Sequence, residues 1–188
     1  MASDPAGGSR QLEERVYNTK LSTIHYEHED QLEELYRKIR PGAFNRTLNK
    51  IFLGTGADLS GGNIAELVDT LFRRVQLILD MRQPKLKIHI RLHKDRKALY
   101  QAYLKAIGSS GSVIGTRTGR ARSKVPIAFY WKKTNTIHVQ PEKLSMEVLA
   151  HEMGHATIDH YFVIRPPPKI AEMLCHYVDK ELSAGNSF

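Results

Sequence analysis

The stretch Leu86-Lys87-Ile88-His89-Ile90-Arg91-Leu92-His93 alternates apolar and polar side chains without a break. A period of two marks a strand with one buried face. Leu86, Ile88, Ile90 and Leu92 are its inward set, and His89 and His93 face the wet side. Helical spacing lies on both sides of this strand. In residues 63–81, Ile64, Leu67, Val68, Leu71, Phe72, Val75, Ile78 and Leu79 recur at steps of three and four, which predicts a core helix. After the strand, Asp95 caps a helix to about residue 107, with Leu99, Tyr103, Ala106 and Ile107 inward.

Further out, residues 21–26 read as a short strand. Residues 30–39 read as a helix carrying Leu32, Leu35, Tyr36 and Ile39, stopped by Pro41-Gly42. The Gly-rich stretch 54–62 lacks the Lys-Ser/Thr ending of a phosphate loop and reads as a connection. Residues 108–124 form a basic, Gly-containing loop with Arg117, Arg120, Arg122 and Lys124 at its far end. Residues 125–131 and 136–139 are β-prone runs around Lys132-Lys133-Thr134-Asn135, a hairpin. Residues 144–162 are helical, Arg165-Pro166-Pro167-Pro168 breaks the helix, and residues 169–182 resume one. This order of elements predicts an α+β fold. Residues 1–12 are expected to be a tail, 13–83 a mainly helical N-terminal subdomain and 84–188 a second subdomain, together forming one unit.

Composition narrows the classes. The 188 residues are 41% hydrophobic and 26% charged, enough for a domain with a core. No run approaches the roughly 18 to 20 apolar residues of a spanning helix, so membrane insertion is not expected. Lys and Arg exceed Asp and Glu by 28 to 20, a net +8 that suits a polyanion, acidic substrates or solubility alike. The single cysteine, Cys175, excludes an internal disulfide and a cysteine metal site, so any metal is expected to use His, Asp or Glu, and it reads as a small buried helix residue. The first ten residues carry no apolar signal segment. A cytoplasmic location is expected if this N-terminus is native, and a periplasmic or secreted one if a signal peptide was removed.

The chemistry resides in His151-Glu152-Met153-Gly154-His155. Two histidines four residues apart project from one face of a helix and can hold one zinc ion, while Glu152 reaches the metal's water. Zinc brings its water's pKa to about 7, and a nearby carboxylate can take that proton and return it to a leaving amine. A catalytic zinc needs a third protein ligand. Glu172, beyond the proline break and near the start of the next helix, is the best candidate, with His176 its rival. On that helix Ile170, Met173, Leu174 and Tyr177 read as the packing face, and Glu172, His176 and Asp179 as an adjoining stripe. Asp159 and His160 read as supporting or surface groups, and His25-Tyr26-Glu27-His28 as a surface segment.

His151-Glu152-x-x-His155 followed after sixteen residues by Glu172 resembles the gluzincin branch of zinc metallopeptidases, over about residues 85–182. The resemblance implies a zincin-like fold with a small mixed sheet, an active-site helix and a glutamate-bearing helix behind it. It implies one Zn2+ per chain on His151, His155 and Glu172, with Glu152 as general base and acid. It also implies a peptide substrate paired along an edge strand at Ala128, Phe129 and Tyr130. Members often carry an acid four residues after the ligand glutamate; here that place holds His176, and Asp179 comes seven residues on. Tyr161, His176 and Tyr177 are candidates to stabilise the oxyanion.

A zinc peptidase is therefore the first expectation. The alternatives are a basic nucleic-acid-associated protein, a DNA-linked protease with a third histidine ligand, and a latent or inactive zincin. Nucleic acid is not favoured, because Lys and Arg are spread along the chain without interleaved aromatics.

Overall fold

In the computed structural model, residues 14–40, 63–108, 113–114 and 126–184 are described. The tail, the Gly-rich stretch 54–62 and nearly all of the basic loop 108–124 lie outside them.

The alternating run forms β3 (Ile88–Leu92), whose Ile88, Ile90 and Leu92 are buried while His89 and Arg91 are half-buried. Parallel strands flank it on both sides: β2 (Ser22–Tyr26) and β6 (Thr136–Val139). On the far side of β2 lies β1 (Arg15–Asn18), antiparallel. Beyond β6 come β5 (Ala128–Trp131) and the two-residue β4 (Val113–Ile114), both antiparallel to their neighbours. The result is a six-stranded mixed sheet in the order β1-β2-β3-β6-β5-β4. The fold is α+β, as the sequence predicts.

Successive strand residues point to opposite faces, so the sheet has two sides to cover. On one side Ile24, Ile90, Ile137, Val139 and Tyr130 form a single core with four helices. These are α1 (Glu29–Ile39), α2 (Ile64–Ile78), α4 (Met146–Tyr161) and α5 (Pro168–Ala184). Helix α2 starts where Asn63 accepts from the Ala65 N–H at 2.9 Å, and its stripe of Leu67, Val68, Leu71, Phe72 and Val75 is buried. On the other side α3 (Arg96–Gly108) covers Phe129 with Leu99 and Ala106. Asp95 caps it, accepting from the Ala98 N–H at 2.7 Å.

Two of the six strands lie in residues 14–83, alongside α1 and α2. That region therefore shares both the sheet and the core with the rest of the described chain. Asp69 on α2 fastens the β1–β2 turn by accepting from Thr19 Oγ1 and from the Lys20 and Leu21 N–H groups. No described helix is long and apolar enough to cross a membrane.

The packing face expected for the last helix is corrected. Ala171, Cys175, Val178 and Leu182 of α5 are buried, whereas Ile170, Met173 and Tyr177 are exposed and Leu174 is half-buried. The helix is rotated so that its smallest side chains meet α4, and this permits the close crossing that Gly154 allows. A Cβ at Gly154 would stand 3.0 Å from Cys175 Sγ and 3.8 Å from the Cys175 Cα.

Candidate metal centre

Helix α4 begins with Ser145 accepting from the Val148 N–H at 3.4 Å and continues to Tyr161. Residues 149–158 are buried throughout, because α4 is packed between the sheet and α5 and α2. The sequence pattern of this helix shows little amphipathic contrast for that reason: polar His151, Glu152 and His155 are as enclosed as Leu149 and Met153.

His151 and His155 lie one turn apart with ring centroids 5.0 Å from each other. The chain turns at the prolines, and α5 brings Glu172 across them. Its Oε2 stands 3.5 Å from His151 Nε2, and its Oε1 stands 3.5 Å from His155 Nε2. Both Nε2 atoms are buried without a hydrogen-bond partner, as is Glu152 Oε2. Buried nitrogen and oxygen atoms left unpaired are costly, so these groups could hold a metal ion. Two ligands about 2.1 Å from a tetrahedral ion stand roughly 3.4 Å apart, and each of the two His–Glu172 separations has that size, although His151, His155 and Glu172 are not among the described donor groups whose ligand atoms all lie within 4.8 Å of one another.

Asp179, one helical repeat beyond Glu172, accepts from His151 Nδ1 at 3.1 Å. A carboxylate only accepts, so it keeps the proton on Nδ1 and leaves Nε2 free to coordinate. This is the support that the sequence did not supply four residues after Glu172. His176 occupies that position, half-exposed, with its ring 5.3 Å from His151 and its Nδ1 3.4 Å from the same Asp179 oxygen.

Other donors are near. Single ligand atoms of His151, His155 and Cys175 lie within 4.8 Å of one another, and so do those of His151, His176 and Asp179. Burial, followed by the acids Glu152, Glu172 and Asp179, pushes the Cys175 thiol pKa far up, and a coordinated dication would reverse this and favour the thiolate. Its sulfur is also wedged against Gly154 in the helix crossing. Glu172 is only partly covered and faces each histidine with a different oxygen.

Electrostatics sort the remaining groups. Burial, then His151 and Arg165, pull His155 down to about 3, so it is neutral as a ligand must be. Burial raises Glu152 well above the usual carboxylate range; a backbone hydrogen bond from Tyr130 opposes this, and Glu172 and Asp179 add to it. A dication between the ligands would reverse that balance and favour the carboxylate.

The expected edge strand is corrected. β4 pairs with β5 at Val113↔Trp131 and Ile114↔Tyr130, so β5 is an inner strand there and β4 is the rim. Along β5, Ala128 and Tyr130 face α4, whereas Phe129 points to the opposite side, stacked on His138 with centroids 4.6 Å apart. Tyr161 ends α4 half-exposed, its ring against Phe162 at 5.3 Å.

One group of residues was understated by the sequence reading. Asp159 is almost fully covered, with Lys132 at 3.1 Å, Arg165 at 3.6 Å and the Tyr130 hydroxyl donating to it at 3.3 Å. It ties the end of the metal-site helix to the β5–β6 hairpin and to the segment before the prolines. The available signal was its spacing, one turn past His155 on the same stripe. A second set lies on the far face of the sheet: His25 Nε2 and His89 Nδ1 are 3.0 Å apart, and His93 Nε2 and His138 Nδ1 are 2.9 Å apart. His25 and Tyr26 are thus not simple surface residues, since Tyr26 belongs to the core.

No family model, no curated protein and no solved structure matches the chain.

Proposed function

We propose that this protein is a zinc-dependent peptidase that hydrolyses peptide bonds. One observation carries the reading: two buried imidazole Nε2 atoms without hydrogen bonds each face one oxygen of Glu172, with the buried carboxylate of Glu152 beside them. Structural zinc sites are commonly closed by four protein ligands; two histidines and one glutamate leave a position open for chemistry.

His151, His155 and Glu172 would hold the ion, which when bound supplies Lewis acidity to a water and to the substrate carbonyl. Asp179 holds His151 in the correct tautomer. Glu152 takes the proton of the attacking water and hands it to the departing amine, a role that needs its carboxylate ionised at the start. His176, half-exposed beside His151, is the best placed of the suggested donors to meet a developing oxyanion. The substrate backbone would run along the β4 rim of the sheet.

Zinc content per chain tests the ligand set, with wild type, Glu172→Ala, His176→Ala and Cys175→Ala purified side by side. The proposal expects about one zinc in all but Glu172→Ala. Loss in His176→Ala would favour the third-histidine alternative, and loss in Cys175→Ala a closed thiolate site. Absence of zinc from every sample would end the peptidase reading.

A further inference from the structure

Away from the metal centre, the β1–β2 turn, the C-terminal half of α2 and the segment that follows it enclose a concavity of about 560 Å3. That volume lies in the range of small-molecule sites, roughly 300–1,000 Å3. Its apolar surface comes from Leu21, Leu77 and Pro84, and Leu77 is 45% exposed although it lies on a core helix. Three cations, Lys20, Arg73 and Arg82, also line it. None of the three is ion-paired with a carboxylate among the described residues. Asp69 on α2 is engaged by its three donors in the β1–β2 turn.

A buried donor adds a separate observation. Gln76 lines the same concavity and is 94% buried, being 6% exposed, yet its Nε2 has no hydrogen-bond partner. The amide is held in place because its Oε1 accepts from the Gln83 N–H at 2.8 Å. Gln83 in turn donates through Nε2 to the Thr157 carbonyl at 3.0 Å, so the wall is fastened to α4. An amide donor and three cations, all without a partner among the described residues, beside an apolar surface are complementary to one kind of ligand.

We propose that this concavity is a binding site for a small amphipathic anion, a molecule with one carboxylate on an apolar body. The carboxylate is held by Arg73, Arg82 and Lys20 near the Gln76 amide, and the body lies on Leu21, Leu77 and Pro84. The site does not depend on the peptidase reading, and its test needs no metal.

The probe is decanoate, titrated into the full chain with chemical shifts of the Gln76 side-chain amide followed by NMR; decanol and acetate serve as controls. Decanoate should bind with a dissociation constant of roughly a millimolar or below and move the Gln76 amide, with decanol and acetate each at least about tenfold weaker. Arg73→Glu and Arg82→Glu, both at exposed positions, should each weaken decanoate by about tenfold while leaving the fold intact by circular dichroism. Equal binding of decanol, unchanged affinity in both variants, or shifts that leave Gln76 untouched would each overturn the proposal.

Discussion

His151 Nδ1 and Asp179 Oδ2 stand 3.1 Å apart, joining the metal-site helix to the helix that follows the prolines. The contact fixes which imidazole nitrogen carries the proton. Asp179→Asn keeps the shape but presents an amide that can hold the ring in the wrong tautomer. Zinc affinity should fall by about 10- to 100-fold, measured by competition with a chromophoric chelator. An unchanged affinity would remove Asp179 from the site.

In the proposed peptidase reading Glu152 moves protons and does not hold the ion. Glu152→Gln should therefore retain about one zinc per chain and lose hydrolysis of a peptide substrate by at least about 100-fold. Loss of zinc together with activity would make it a ligand instead.

The crossing of α4 and α5 rests on Gly154 against Cys175. In an ordinary helix, Gly→Ala gains about 1 kcal/mol. Here the added methyl meets Sγ at 3.0 Å within the core, and overpacking costs about 1–3 kcal/mol. Gly154→Ala should lower stability, whereas the same change in a Cys175→Ala background should raise it. Urea unfolding of the four proteins in this cycle checks both signs.

On the far sheet face, burial is the main cause that pulls His138 down to about 3 and His93 to about 4, from an ordinary 6.5. The unfolded chain therefore binds more protons than the folded one between those values. The stability contributed by keeping these rings neutral is full above about 6.5 and is lost as pH falls from there through about 4 and about 3. Each ring can contribute up to about 1.4 kcal/mol per pH unit. Urea unfolding from pH 7 to pH 5 should show this slope, and His138→Gln should flatten it. An identical slope in that variant would assign the acid sensitivity elsewhere.

By itself, the sequence determined everything that depends on spacing within one element. Four residues on a helix place His151 and His155 on one face, alternation at 86–93 makes β3, and Asp95 starts its helix, because these are local consequences of backbone geometry. What spacing could not express was the rotation of α5 about its own axis. That rotation buries Ala171 and Val178 in place of Ile170 and Met173, beside the Cys175 that the sequence already placed inside, and it brings Glu172 and Asp179 to the two histidines. The rim position of β4 and the far-face histidine pairs escaped for the same reason. They join residues distant in the chain, and only the closing of the sheet and the α4–α5 crossing decides which of them meet.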